Sequence, residues 1–214
     1  MFSHGGAGTW LFVNYLKTRG VQQTWKGTVH GLVHYPRPIW LKPAMAHRLR
    51  AAVFIYDDPL IAICSMKARN FHHNVFSYLR ERRLHLRSDI DLDLLDAAYD
   101  QFAEFTKPGA SRSVGYPIIL MRYEDTLRDS CMLKICSRLG TCKNYQHSWT
   151  ATAAGESTTA ASRPRVRTTN SSSPCVIALN KRLGDTHRAK VETMRNFRGS
   201  CKITLPSDPA PSGL

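Results

Sequence analysis

The chain has 214 residues, 43% of them hydrophobic, and a formal net charge of +14. That length accommodates one α/β domain with a substantial core, and the apolar fraction excludes a chain disordered throughout. The charge points to anionic partners such as nucleotides and sulfated or phosphorylated substrates, while no apolar run reaches the length of a membrane span and no nucleic-acid module is recognisable, so nucleic acid is not among the expected partners.

The first feature in chain order is Ser3-His4-Gly5-Gly6-Ala7-Gly8-Thr9-Trp10. Three glycines in four positions free the backbone to curl with its N–H groups inward. Residues 9–19 carry Trp10, Phe12, Val13 and Leu16 at helical spacing with Gly20 behind them, and predict a helix whose N-terminus favours negative charge. Such a turn makes a phosphate cradle; the alternative is a tight turn that merely opens a helix. It is not a Walker A loop, because Thr9-Trp10 follows Gly8 where that loop has Lys-Ser or Lys-Thr.

Residues 21–25 and 28–34 read as extended, ended by Pro36 and Pro38, which sets His34 at a strand end, where binding and catalytic side chains concentrate. Residues 51–56 suit a strand buried on both faces, broken by Asp57-Asp58-Pro59. Residues 60–79 place Ile61, Cys64, Ala68, Phe71 and Val75 at helical spacing and predict one helix. Ser88-Asp89 offers an N-cap for a further helix with Leu92, Leu95, Tyr99 and Phe102 on one side; Asp89, Asp91, Asp93, Asp96 and Asp100 read as its solvated face. Residues 117–121 form a second buried strand, leading through Tyr123-Glu124-Asp125 into a helix over 126–139. Strands alternating with helices predict an α/β fold of three layers around a mostly parallel central sheet.

Beyond residue 150 the composition turns to Thr, Ala, Ser and Pro. The expected organisation is therefore an α/β domain over 1–149 and a largely disordered basic tail over 150–214, with a short helix the one element in prospect over 183–205. Within the tail, Asn170-Ser171-Ser172 is a glycosylation sequon, meaningful if the chain is secreted. The six cysteines are irregularly spaced and suggest no disulfide framework, so most are expected as free thiols. Cys131, Cys136 and Cys142 with His147 fit no common structural zinc spacing.

Four separated segments together resemble the sulfotransferase family, whose members use 3′-phosphoadenosine 5′-phosphosulfate and adopt a P-loop-like α/β fold. They are the Gly-rich segment His4 to Trp10, where relatives have Pro-Lys-Ser-Gly-Thr-Thr-Trp; His34-Tyr35-Pro36; Pro59 with Ser65 six residues on; and Tyr123-Glu124-Asp125. The resemblance covers residues 1–140. It implies that Gly5, Gly6, Ala7, Gly8 and Thr9 hold the 5′-phosphosulfate and that Trp10 lies against the adenine. It further implies that Ser65 meets the 3′-phosphate, that Tyr123 lies close to the nucleotide, that His34 is the general base, and that no metal is required. The implied partners are the anionic nucleotide and a carbohydrate or small-molecule acceptor bearing a hydroxyl or amine.

Two positions depart from the family pattern, and the late Arg-Lys-Gly segment of relatives is not found, Arg198-Gly199 being a poor echo of it. The loop lysine of relatives falls at Gly5, and their arginine two residues before the proline is Asp57. At an effective dielectric of about 20, a carboxylate about 4 Å from a phosphate charge repels it by roughly 4 kcal/mol unless a cation such as Arg69 screens it. These departures keep open a catalytically silent sulfotransferase-like or P-loop nucleotide-binding protein. The chain as written is expected in the cytoplasm, and in the Golgi lumen if an N-terminal anchor precedes it.

Overall fold

The computed structural model describes residues 2–5, 7, 12, 34, 36–38, 51–79, 89–127, 135, 137, 170–199 and 201–206. Among them lie four strands, β1 (Phe2–Ser3), β2 (Ala52–Tyr56), β3 (Ile118–Arg122) and β4 (Lys202–Thr204), forming one open sheet in that order. Helices α1 (Pro59–Ala68), α2 (His72–Leu79), α3 (Ile90–Thr106) and α4 (Ala110–Val114) separate β2 from β3. A 3-10 turn (Tyr123–Leu127) follows β3, and α5 (Pro174–Lys181) and α6 (Asp185–Asn196) precede β4.

β1 pairs parallel with β2 and β2 with β3, Phe2 opposite Phe54 and Phe54 opposite Leu120. β4 closes beside β3 antiparallel, Ile203 opposite Ile119. The sheet is thus α/β and mostly parallel. Its two longest strands are the two apolar runs, and side chains that are apolar without alternation need cover on both sides. The period of two provides it: Phe2, Phe54, Tyr56, Ile118 and Leu120 pack with Phe102, Phe105 and Met194, whereas Val53, Ile55, Ile119 and Met121 pack with Ala7, Phe12 and Ile135.

The first of these layers is aromatic. Phe105 stacks on Phe54 with centroids 4.4 Å apart, Phe102 meets Tyr56 edge-on at 5.3 Å, and Phe197 completes the group 5.1 Å from Phe102. Each such pair contributes about 0.5–1.5 kcal/mol beyond its buried area.

Helix ends follow their side chains. Asp58 caps α1, its Oδ1 accepting from the N–H of Leu60 at 2.9 Å and Ile61 at 3.4 Å, with Pro59 preset for the first turn. Asp89 caps α3 through the N–H groups of Asp91 and Leu92. The single helix expected over 60–79 is corrected to two. Asn70 takes a left-handed φ of 53°, the N–H of Asn70 bonds the carbonyl of Lys67, and that of Phe71 bonds Met66. That 5→2 and 6→1 pair stops a helix, and asparagine is one of the few residues that tolerates the conformation.

The expectation of a largely disordered tail is corrected over residues 170–206. Ser173 caps α5 through the Val176 N–H at 3.4 Å, with Pro174 at the first helical position. Val176, Leu179, Leu183 and Val191 then enter a cluster with Leu60, Ile63, Leu94 and Leu95. The expectation of free thiols is corrected as well: Cys175 of α5 is bridged to Cys64 of α1, and Cys201 is also disulfide-bonded.

Of the acidic residues of α3 expected on a solvated face, Asp100 is exposed and Asp89 and Asp96 are partly so, but the expectation is corrected for two. Asp91 and Asp93 are only 5% and 6% exposed. Arg182 donates to Asp89 and, at 3.0 Å, to Asp91; Lys67 reaches Asp91 at 2.8 Å; Lys190 reaches Asp96 at 2.8 Å. The basic charges of the C-terminal helices thus pair with acidic charges of α3, beside the apolar cluster and the disulfide. The stretches predicted at 9–11, 13–33, 128–134 and 150–169 lie outside the described residues, as do Cys131, Cys136, Cys142 and His147.

Candidate functional site

Parallel α/β sheets bind ligands outside the carboxyl ends of their strands. Here β1 and β2 end side by side, Ser3 opposite Ile55, while Arg122 at the end of β3 lies opposite Tyr56. The chain therefore leaves this edge of the sheet at His4, at Asp57 and at Tyr123.

The turn after β1 is held from within. Gly5 has φ +86°, and its N–H donates to the Ser3 hydroxyl at 3.3 Å. A Cβ at Gly5 would collide with Met66 Sδ and come within 3.0 Å of Val75 Cγ1. Glycine is required twice over, by backbone conformation and by the contact with α1 and α2. Ser3, His4 and Ala7 are fully buried.

His34 belongs to this turn. Its Nδ1 lies 2.9 Å from the Ser3 carbonyl oxygen, across 31 positions of sequence. A carbonyl only accepts, so Nδ1 carries a proton, and in the neutral form of the ring the lone pair is on Nε2. The same carbonyl accepts from Gln101 Nε2 at 3.3 Å, which ties the turn to α3. Sequence reasoning singled out His34 and missed Gln101, because a glutamine in mid-helix carries no pattern of its own.

Ser65 is buried on α1 and its hydroxyl accepts from Arg69 Nη2 at 2.9 Å; Arg69 Nε donates to the Ser65 carbonyl at 3.0 Å, and its guanidinium lies 4.7 Å from the Phe71 ring. Hydroxyl and guanidinium side by side form a donor set suited to a phosphate. Their position joins the turn through Met66, the neighbour of Ser65 that touches Gly5.

Asp57, expected to oppose such a phosphate, is 1% exposed and accepts the Asp58 N–H at 2.6 Å. A cation absent from the sequence expectations reaches the same strand end: Arg195 Nε of α6 donates to Asp58 Oδ2 at 2.6 Å. Nothing in the local sequence announces a pair so far apart. Tyr123 opens the 3-10 turn, its carbonyl accepting from the Thr126 hydroxyl at 2.6 Å.

His72 and Asp89 depart from their ordinary pKa values. Burial, then His73 and Lys67, hold the His72 imidazole below its ordinary value at the start of α2. Burial pushes the Asp89 carboxyl up, but the Arg182 hydrogen bond, together with the N–H groups of Leu92 and Asp91, outweighs it and leaves Asp89 below the usual carboxylate range.

The structure thus joins His34 and Gly5 through Ser3, packs Ala7 against the sheet with Phe12 and Val53, pairs Ser65 with Arg69 on α1, and places Tyr123 at the end of β3. Gly6, Gly8, Thr9 and Trp10 lie outside the described residues. Among the described residues no group of three or more His, Cys, Asp or Glu is arranged to hold a metal ion, and no helix is long and apolar enough to cross a membrane. No family model, curated protein or solved structure matches the chain.

Proposed function

We propose that the chain is a sulfotransferase-type protein that takes 3′-phosphoadenosine 5′-phosphosulfate and moves its sulfuryl group to a hydroxyl or amine of a carbohydrate or small molecule, with His34 as general base. The observation that supports this reading is the His34 Nδ1 to Ser3 carbonyl contact, which brings an imidazole beside the start of the glycine-rich segment. Ser65 and Arg69 supply the donors for the 3′-phosphate. In the transfer, the acceptor oxygen or nitrogen bonds to sulfur as the bond from sulfur to the nucleotide's phosphate oxygen breaks, and Nε2 takes the acceptor's proton.

A second reading, a nucleotide-binding relative without transferase activity, is favoured by Gly5. The position that carries lysine in the family has no room for a side chain against Met66 and Val75. Calorimetric titration with 3′-phosphoadenosine 5′-phosphate tests the shared part of both readings, and absence of binding at millimolar nucleotide rejects both. Sulfate transfer lost in His34→Gln with nucleotide binding retained supports the enzyme; binding without transfer in the parent chain supports the silent relative.

A further inference from the structure

We propose that Asn170 is an acceptor of N-linked oligosaccharide and that this chain matures in an oxidising lumen. Asn170-Ser171-Ser172 is the sole Asn-X-Ser/Thr triplet in the sequence. All three residues are exposed, in the turn that leads into α5.

The turn is already arranged for the chemistry. The Asn170 carbonyl accepts the Ser173 N–H at 3.1 Å, so the backbone is braced without the side chain. The Ser172 hydroxyl donates to Asn170 Oδ1 at 3.0 Å. An amide nitrogen is a poor nucleophile because its lone pair is delocalised onto oxygen. A hydrogen bond into that oxygen stabilises the charge that gathers there as the nitrogen gives up a proton. The bond leaves Nδ2 uninvolved.

The disulfide supplies an independent argument about compartment. Cys175, in the first turn of α5, is bridged to Cys64, and Cys201 is oxidised too. Structural disulfides persist in secretory and other oxidising spaces and are rare in the cytosol. Those spaces are also where carrier-linked oligosaccharide meets nascent chains, so sequon and bridge agree on one location, in place of the cytoplasm expected from the sequence. A glycan at Asn170 displaces no packing, because the α5 residues that enter the core are Val176 and Leu179.

In the transfer, a bond forms between Asn170 Nδ2 and C1 of the first sugar, and the bond from C1 to the oxygen of a polyprenyl pyrophosphate carrier breaks. The pyrophosphate leaves with the bonding electrons, and the amide proton passes to a base of the transferase. No oxidant or reductant enters. The proposal does not rest on the sulfotransferase reading.

The test uses the full chain recovered from the cells that produce it, digested with peptide N-glycanase in heavy-oxygen water and mapped by mass spectrometry under non-reducing conditions. The expected result is conversion of Asn170 to a heavy-oxygen-labelled aspartate only after the enzyme has acted. Ser172→Ala and Asn170→Gln should both abolish the glycan, and Ser172→Thr should keep it. Recovery of the Asn170 amide unmodified before enzyme treatment overturns the proposal, whether or not Cys64 and Cys175 are bridged in the same molecules.

Discussion

Arg195 Nε lies 2.6 Å from Asp58 Oδ2 across 137 positions of sequence, while Oδ1 of the same carboxylate caps α1. One side chain therefore starts one helix and anchors another. Asp58→Asn keeps a capping oxygen and loses the ion pair; Asp58→Ala loses both. Breaking a fully buried pair costs about 3–5 kcal/mol, and because the Arg195 side chain is 35% exposed the expected loss is nearer about 1–2 kcal/mol, with about 1 kcal/mol more for the cap. Urea denaturation should rank the parent above Asp58→Asn and that above Asp58→Ala. Arg195→Ala should cost much less in the Asp58→Asn background than in the parent.

At Gly5 even one methyl group is too much. Gly5→Ala places a Cβ against Met66 and Val75 on a backbone of positive φ. The conformation costs about 1–2 kcal/mol and the overpacking about 1–3 kcal/mol. Thermal melts should show Gly5→Ala and Gly5→Lys both destabilised by several kcal/mol. A Gly5→Lys protein as stable as the parent would mean that the turn packs differently.

The Ser65 and Arg69 pair predicts a selective binding defect. Arg69→Ala should weaken 3′-phosphoadenosine 5′-phosphate by about 10- to 100-fold, the equivalent of about 1.5–3 kcal/mol for a charge-assisted hydrogen bond. Adenosine 5′-phosphate, which lacks the 3′-phosphate, should lose almost nothing. Equal losses for the two nucleotides would assign Arg69 a purely structural role.

The Cys64 to Cys175 bridge spans 111 positions, a loop whose closure restricts the unfolded chain by about 4–5 kcal/mol in the entropic account. Cys64→Ala with Cys175→Ala should lower the unfolding free energy by about 2–5 kcal/mol. Limited proteolysis should then cut first near α5, where the apolar anchors are few. Unchanged protection there would show that the ion pairs to α3 suffice.

Acid should weaken the fold in two stages. His72 has a folded value below its ordinary one, so its contribution is complete above the unfolded value of about 6.5 and is lost as pH falls through the folded value. Asp89 obeys the same sign, its contribution present above about 3.9 and lost on further acidification as Arg182 loses its partner. Melting temperatures should be level above neutrality, decline first below about pH 6.5 and again below about pH 4. His72→Gln should diminish the first decline and spare the second.

How far the sequence could be read depended on the range of each interaction. The runs at 51–56 and 117–121 were legible as strands because burial on both faces leaves a continuous apolar signature, and α3 was legible because Asp89 caps an amphipathic run. The break at Asn70 was not, since Phe71 and Val75 continue the helical spacing while the backbone has already turned left-handed. The helices α5 and α6 were hidden by averaging composition over 150–214, although Ser173-Pro174 is a local start signal. At the site, His34 could be found from its place before Pro36. Gln101 and Arg195 could not, because their partners, Ser3 and Asp58, lie 98 and 137 positions away.

The antiparallel pairing of β4 with β3, and the docking of α5 and α6 on α1 and α3, also set the order of events during synthesis. Translation delivers residues 174–204 after every partner that they cover, so until then β3 lacks its β4 neighbour and, on α3, Asp89 and Asp96 lack their Arg182 and Lys190 partners. Helices form in microseconds, but contacts of such sequence separation are made slowly. The interval between emergence of β3 and arrival of β4 is therefore the period in which that edge of the sheet is open to pairing with another chain.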